Sequence, residues 1–409
     1  MLGEFSNALD NAEKTPQRLV SAVLSAWETQ GTTGATARNL AALAHIPVSS
    51  IYHHFGDMEH LLQAAQHDAL QAANRWCDRQ IELVRGARAK GPAALGSLLA
   101  AVIDDWCETQ RTLAFAFRQS QLMALRDLQH RPTRAHWSAA WRSLWQRICG
   151  HLDLADVALA TAWFFEGAIA LHLLRWRRPV DRAALEELCH GWADWLDGHL
   201  AGPSPWFDGA RDAAAALAAA QRLAPAETNA ASIAAAAART IERHGIVGLT
   251  HRAVAAEAGV TLGVVSHRYR TSADLLNAAF EAIYCRMVPT EETREPKLMP
   301  RQEATDLLQN AYARRENALG LEELSVATAR DPAFAGFAAQ LRYLRGRSSG
   351  PYFQTILGEE RSISAIDAAI FSAFLSGRGN ACLHEDWPAT AADVSPLLAR
   401  LNRTRAVAG

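Results

Sequence analysis

The chain lacks most of what a secreted, membrane-embedded or polyionic protein would need. Its six cysteines (Cys77, Cys107, Cys149, Cys189, Cys285 and Cys382) are scattered, and no two form a Cys-x-x-Cys pair. With no signal peptide ahead of them they read as reduced thiols packed inside a cytoplasmic protein, not as a disulfide framework or a metal site. No apolar run reaches the roughly 18 residues of a membrane span, so no membrane partner is expected. The formal charge is only −2, so any attraction to a polyanion has to be local. No stretch reads convincingly as a strand. His-x-x-x-His and phosphate-loop patterns are missing, which argues against an enzyme. Nothing calls for a metal or another cofactor.

What is present is helical periodicity, centred on Thr36 to Leu62. Leu40 and Leu43 give a short helix an apolar face, and His45-Ile46-Pro47 interrupts it. Val48, Ile51 and Phe55 then resume the pattern at helical spacing. Two short helices joined by a tight turn make a helix-turn-helix, whose second member can enter a DNA major groove. Moving 214 residues along, Thr250 to Leu276 aligns without a gap, and Gly31 and Gly34 fall on Gly245 and Gly248. Fourteen of the forty-eight positions in 18–65 are identical to 232–279. Six of the fourteen are alanines, so the two glycines, the Thr-x-Arg pair and the paired leucines carry the argument for a duplication.

Each copy resembles the DNA-binding part of the TetR family of bacterial transcriptional regulators. In the first, Ile51-Tyr52-His53-His54-Phe55 and Glu59-His60-Leu61-Leu62 match the family pattern. In the second, Ala258-Gly259-Val260-Thr261-Leu262-Gly263 and Asp274-Leu275-Leu276 match it. The resemblance implies an all-α fold of two tandem units, each a helix-turn-helix bundle followed by a helical effector and dimerisation domain. The expected divisions are 1–62, 63–200, a linker at 201–227, 228–276 and 277–409. Gly202-Pro203-Ser204-Pro205 breaks the chain at the linker, and an alanine-rich helix over 208–223 follows. Relatives pair their last two helices between subunits. Here the same pairing is expected within one molecule, 155–200 against 363–405, as an intramolecular pseudo-dimer; further homodimerisation stays open.

Finer features go with this reading. Residues 1–14 read as loose, with Thr15-Pro16 starting the first helix. Helices are expected near 93–108, 110–128, 133–150, 155–176 and 181–200. In the second half they fall near 302–319, 320–330, 332–346, 351–358, 363–383 and 390–405. Arg126-Asp127 and Arg330-Asp331 close comparable helices, and Gly167 and Gly377 mark comparable points in the penultimate ones.

For DNA, Tyr52, His53 and His54 suit phosphates, while Ser49 and Ser50 let the helix approach base edges. Thr36 and Thr250 would cap the first helix of each hairpin, and Arg38 and Arg252 would anchor flanking backbone. In the second copy Thr261, His267, Arg268 and Arg270 are the polar candidates, with Leu262 and Val264 placed for thymine methyls. Phe55, Tyr269, Leu61 and Leu275 read as core. The first copy departs from the family at Ile46-Pro47, at Ser49 and at Asp57-Met58, where a lysine is common; the second has Ser266 for tyrosine. With His neutral, 1–62 carries three basic residues against six acidic, net −3, and 228–280 five against three, net +2. The second copy should therefore hold DNA more strongly.

The first effector domain is rich in aromatics. Trp106, Phe117, Trp137, Trp141, Trp163 and Phe164, with Glu166 and His172, suggest a site for a small apolar or aromatic effector, or else a tryptophan-rich core without a cavity. In the second unit Tyr312, Glu316, Phe337, Tyr343, Tyr352, Phe371 and Phe374 are the counterparts. The sequence reading is a repressor that binds a non-palindromic double-stranded DNA operator through two different recognition helices. The alternative is a sensor or interaction protein whose helix-turn-helix units no longer bind DNA.

Overall fold

The computed structural model describes residues 2–222, 228–287, 315–358, 360–384 and 391–402, and every regular element among them is helical. The first unit runs α1 (Leu2–Thr29), α2 (Ala37–Ala44), α3 (Ser49–Phe55), α4 (Met58–Arg85), α5 (Gly91–Glu108), α6 (Arg111–Arg126), α7 (Arg131–His151), α8 (Ala158–His172) and α9 (Arg178–Leu196). A connecting helix, α10 (Pro205–Arg222), leads to α11 (Thr228–His244), α12 (His251–Ala258), α13 (Leu262–Arg268) and α14 (Ser272–Met287). The second unit ends with α15 (Arg315–Arg330), α16 (Ala335–Tyr343), α17 (Gly350–Leu357), α18 (Ala365–His384) and α19 (Ala391–Asn402).

Two expectations need correction. α1 begins at Leu2 and runs through Pro16 instead of starting at Thr15. Between Leu2 and Thr15 no proline interrupts the helix, and Pro16 removes one N–H without forcing a stop. The expected break between 302–319 and 320–330 is also absent, because α15 continues across Gly320. That glycine is a packing residue. A Cβ there would press on the Glu242 side chain at 2.8 Å and on Ile283, so its smallness lets α15 lie close on α11 and α14. Residues 301–314, Tyr312 included, lie outside the described residues, as does the Glu316 side chain.

Each N-terminal bundle closes on a small apolar core. Leu19, Val23, Trp27, Leu40, Ile51 and Leu61 are buried in the first, and Ile233, Ala237, Ile241, Val254, Val265 and Leu275 in the second. Phe55 and Tyr269 are partly buried against these cores, and the Tyr269 hydroxyl donates to the Ala230 carbonyl at 3.2 Å. The α10 segment packs as well. Phe207, Ala210, Ala214 and Ala218, spaced along one face, are buried where it lies against α9 and α16.

The largest contact between the units is α8 on α18. A Cβ on Gly167 would collide with the Ala373 carbonyl, and one on Gly377 with the Trp163 carbonyl. The two backbones therefore cross at paired glycines, one from each unit. Around this crossing α9 and α19 complete a four-helix arrangement. Trp195 Nε1 donates to Asp367 Oδ1 at 2.8 Å, Arg400 grips Asp156 at 2.8–3.0 Å, and Phe353 stacks on Trp195 with centroids 4.5 Å apart. The segments 155–200 and 363–402 thus meet inside one chain. Cys77, Cys107, Cys149 and Cys189 are buried; burial pushes the thiols of Cys77 and Cys149 up to about 12, so they are packing groups at neutral pH.

Candidate nucleic-acid interface

Local capping sets the geometry of both hairpins. Thr36 and Thr250 start α2 and α12, accepting the N–H of Asn39 at 3.4 Å and of Ala253 at 3.1 Å. Both first helices end in a left-handed residue. In the second head this is Gly259, with φ 67°; in the first it is His45, with φ 54°. A side chain at such a position is strained, which is why the family pattern carries glycine there. Asp57, standing where a lysine is common, instead caps α4 by accepting the His60 N–H at 2.8 Å. The second head uses a reciprocal box at the same turn: Asp274 accepts the Thr271 N–H at 3.0 Å, and Thr271 accepts the Asp274 N–H at 3.1 Å.

The second helix of each hairpin stands out from its bundle. On α3, Ser49, Tyr52 and His53 are exposed, Ser50 and His54 half-buried, and Ile51 anchors the helix inward. Around α13, Thr261, Leu262, Val264, His267, Arg268 and Arg270 are all exposed, with Val265 as the anchor. Thr261 makes no capping bond. Arg38 and Arg252 are exposed on the first helices. The heads differ in how their other arginines are used. Arg18 donates to the Ala44 and His45 carbonyls, closing the end of α2. Arg239 and Arg243 hold Glu257 at 2.6 and 2.7 Å.

The sequence did not single out Thr32, Glu323 or Gln119, yet the first two join the heads and the third supports Thr32. Arg126, at the end of α6, donates to Thr32 Oγ1 of the first head at 3.3–3.4 Å and to Glu323 Oε1 of α15. Glu323 Oε1 also accepts the Ile246 N–H of the second head at 3.1 Å. A continuous hydrogen-bonded path therefore runs Thr32–Arg126–Glu323–Ile246, and the short turns Thr32–Gly34 and Ile246–Gly248 lie against each other. Gly31 and Gly245 take φ of 70° and 69°. A Cβ on Gly31 would strike the Arg330 guanidinium, and one on Gly245 the Glu323 and Arg126 side chains. Each head is thus covered by the arginine that closes a helix of the other unit. The arrangement is not symmetric. Where the second unit has Glu323, the first has Gln119, which bonds Thr32 at 3.1–3.2 Å. The Arg-Asp pairs visible in the sequence were the available signal, but not for which groups they meet.

The aromatic candidates separate into three places. Trp106, Phe117, Trp137 and Trp141 share one ring cluster with Trp76, with centroids 4.9–6.4 Å apart. Trp137 Nε1 donates to Gln66 at 3.1 Å, whereas the buried indole N–H groups of Trp106 and Trp141 meet no acceptor among the described residues. Trp163 and Phe164 face the other way, toward Phe374 and Trp192. Glu166 is bound by Arg134, which is fully buried, also donates to Gln121 and Ser138 at 2.6 Å, and lies 4.9 Å from the Phe117 ring.

His172 sits apart at the junction of the units. Arg342 donates to its Nδ1 at 2.7 Å, and its Nε2 donates to Asp104 at 2.8 Å. Burial and the Arg342 charge push its pKa down from 6.5 to about 4, so the ring is neutral at pH 7. Burial would raise Asp104, but hydrogen bonds from His172 and Arg178 outweigh it and hold the carboxyl well below its usual range. Beside His172 lies a cavity of about 20 Å³, lined by Leu171, Leu185, Phe207 and Tyr343 among others. That is room for about one water.

The family model for bacterial regulatory proteins, tetR family, matches residues 19–65 and again 233–279. Each match spans one of the hairpins described above. A search of curated proteins finds no match. The chain therefore carries two tandem DNA-binding domains of the tetR family of bacterial regulatory proteins, which supports a general role as a DNA-binding transcriptional regulator.

Proposed function

We propose that this protein is a repressor whose single chain acts as a pseudo-dimer on a non-palindromic operator, with DNA affinity tuned by a small apolar or aromatic effector. The observation that carries this reading is the bridge from Thr32 through Arg126 and Glu323 to Ile246, which ties two unlike heads to one scaffold. Relatives with identical subunits read two equal half-sites. A chain that presents Ser49, Ser50, Tyr52 and His53 on one head and Leu262, Val264, His267 and Arg268 on the other calls for two different ones. The first head reads through hydroxyls and imidazoles. The second combines contacts to thymine methyls with grip from Arg252, Arg268 and Arg270. Such a role places the protein in the cytoplasm, with the DNA.

The effector reading is supported by the first unit's ring cluster, where the unpaired indole N–H groups of Trp106 and Trp141 leave donors for a ligand to satisfy. Trp163, Phe164, Glu166 and His172 would respond through the α8 crossing, which α6 and the bridge connect to the heads.

The test is affinity for the protein's own promoter region at several salt concentrations. Changing both Arg268 and Arg270 to Ala should weaken binding about 10- to 100-fold and flatten the salt slope by about 2. Tyr52→Ala with Ser49→Ala should cost less affinity and blur sequence preference at one half-site only. Salt-independent or absent DNA binding by the parent chain would instead favour the sensor reading.

A further inference from the structure

Outside the ring cluster, a groove of about 490 Å³ lies between the C-terminal part of α4 and α5. Such a volume suits a small organic molecule. Its walls are aliphatic, including Leu83, Val84, Leu98, Ala101 and Val102, and Asp105 lines it as well. Leu83 is 76% exposed, the highest exposure of any large apolar side chain among the described residues. Along α5 the lining runs from Ala94 to Asp105, which corresponds to roughly 16 Å of helix.

Asp105 differs from the other acids of α5. Asp104 is paired with His172, Arg178 and Arg182, and Glu108 with Arg175 and Arg178. Asp105 has no cationic partner among the described residues. Its Oδ2 accepts from Trp76 Nε1 at 2.7 Å and from Gln80 Nε2 at 3.2 Å, which fixes the carboxylate while leaving its charge uncompensated. Of the basic residues next to the lining Val84 and Ala89, Arg85 pairs with Glu82, and Lys90 with Asp153 and the His151 carbonyl. A held, half-buried anion in an aliphatic groove recognises a cation that carries an apolar body.

We propose that this groove binds an amphipathic organic cation, its charged head at Asp105 and its tail along Leu83, Leu98 and Ala101. The site lies beside the ring cluster, because Trp76, which holds Asp105, also packs on Trp106 at 4.9 Å. Its consequence for DNA rests on the effector reading above; binding itself does not.

Octyltrimethylammonium titrated calorimetrically into the full chain, with octanoate and 1-octanol as controls of equal tail length, tests the assignment. One cation should bind per chain, and octanoate should not bind. Asp105→Asn, which keeps an acceptor for Trp76 and Gln80, should lower cation affinity at least tenfold, and Asp105→Glu should restore part of it. Leu98→Arg should block the groove with the fold intact by circular dichroism. Equal binding to the parent chain and Asp105→Asn, or equal binding of octanoate, overturns the proposal. So does a self-association that Leu83→Ser abolishes in a chain that takes up no cation, since the groove's occupant is then a second copy. Operator affinity measured with and without the cation is a separate readout. If the cation binds through Asp105 and DNA affinity stays constant, the site stands and the effector reading falls.

Discussion

The two heads share a backbone plan and differ in how each employs charge. In the first, Arg18 is consumed in closing α2, Asp57 caps α4, and Tyr52, His53 and two serines are left to face outward. In the second, the cap is a Thr271–Asp274 box, and Arg252, Arg268 and Arg270 stay exposed. The two copies thus keep the glycines and the capping threonine that lead into the hairpin, and differ at the turn and on the outward side of its second helix. A chain containing both copies can separate grip from sequence reading, which two identical subunits cannot do.

Removing the scaffold that holds the heads together should have the largest effect. Gly167→Leu drives a side chain into the Ala373 carbonyl and should destabilise the fold by several kcal/mol, on the order of 3–5. Urea unfolding would register the loss, and DNA binding should fall to the level of isolated heads.

Acid gives the next effect. His172 is neutral when folded, with its pKa lowered from 6.5 to about 4, so the unfolded chain takes up the proton first as pH falls. The stability it contributes is complete above pH 6.5 and is lost between 6.5 and 4, about 3 kcal/mol in all. Glu322 works in the opposite sense. Burial raises it to about 7, and its protonation stabilises the folded chain as pH drops. The measurement is therefore the difference between the parent chain and His172→Asn across that range, in which the Glu322 contribution cancels.

The bridge between the heads comes third. Arg126→Ala leaves the Glu323 carboxylate buried without its partner and should cost about 2–3 kcal/mol. Glu323→Gln copies the amide that the first unit has at Gln119, keeps the Ile246 bond, and should cost about 1 kcal/mol or less. Both should alter the spacer length preferred between half-sites more than affinity for either half-site alone.

The smallest effect is expected within the hairpins. His45→Gly relieves a left-handed residue and should stabilise the first head by about 0.5–1 kcal/mol, while Gly259→Ala should destabilise the second by about 1 kcal/mol. Thermal melts would show the opposite signs.

Much of this was legible in the sequence because it rests on local rules. Apolar spacing placed the helices, Thr36 and Thr250 marked their starts, and Gly167 and Gly377 marked comparable points of the penultimate helices, though not that the backbones cross there. What was not legible depends on partners far along the chain. Nothing near Arg126 points to Glu323, and nothing near Gly320 says that its missing side chain makes room for Glu242. The aromatic residues of α5 to α8 were visible as a set. Their division into one ring cluster, one inter-unit face and the His172 network is set by which side of each helix they occupy once α8 meets α18. Asp105 was hidden for the opposite reason. It is distinguished by a cation it lacks while its neighbours on α5 have theirs.

The central expectation is that one chain supplies both halves of a reader. Sedimentation of the protein with a duplex that carries its promoter site gives the stoichiometry directly, and a footprint on the same duplex shows the symmetry of contact. One chain per duplex, protecting two unlike half-sites, is the predicted result. Two chains per duplex on a palindrome, with one head of each chain left off the DNA, would contradict it.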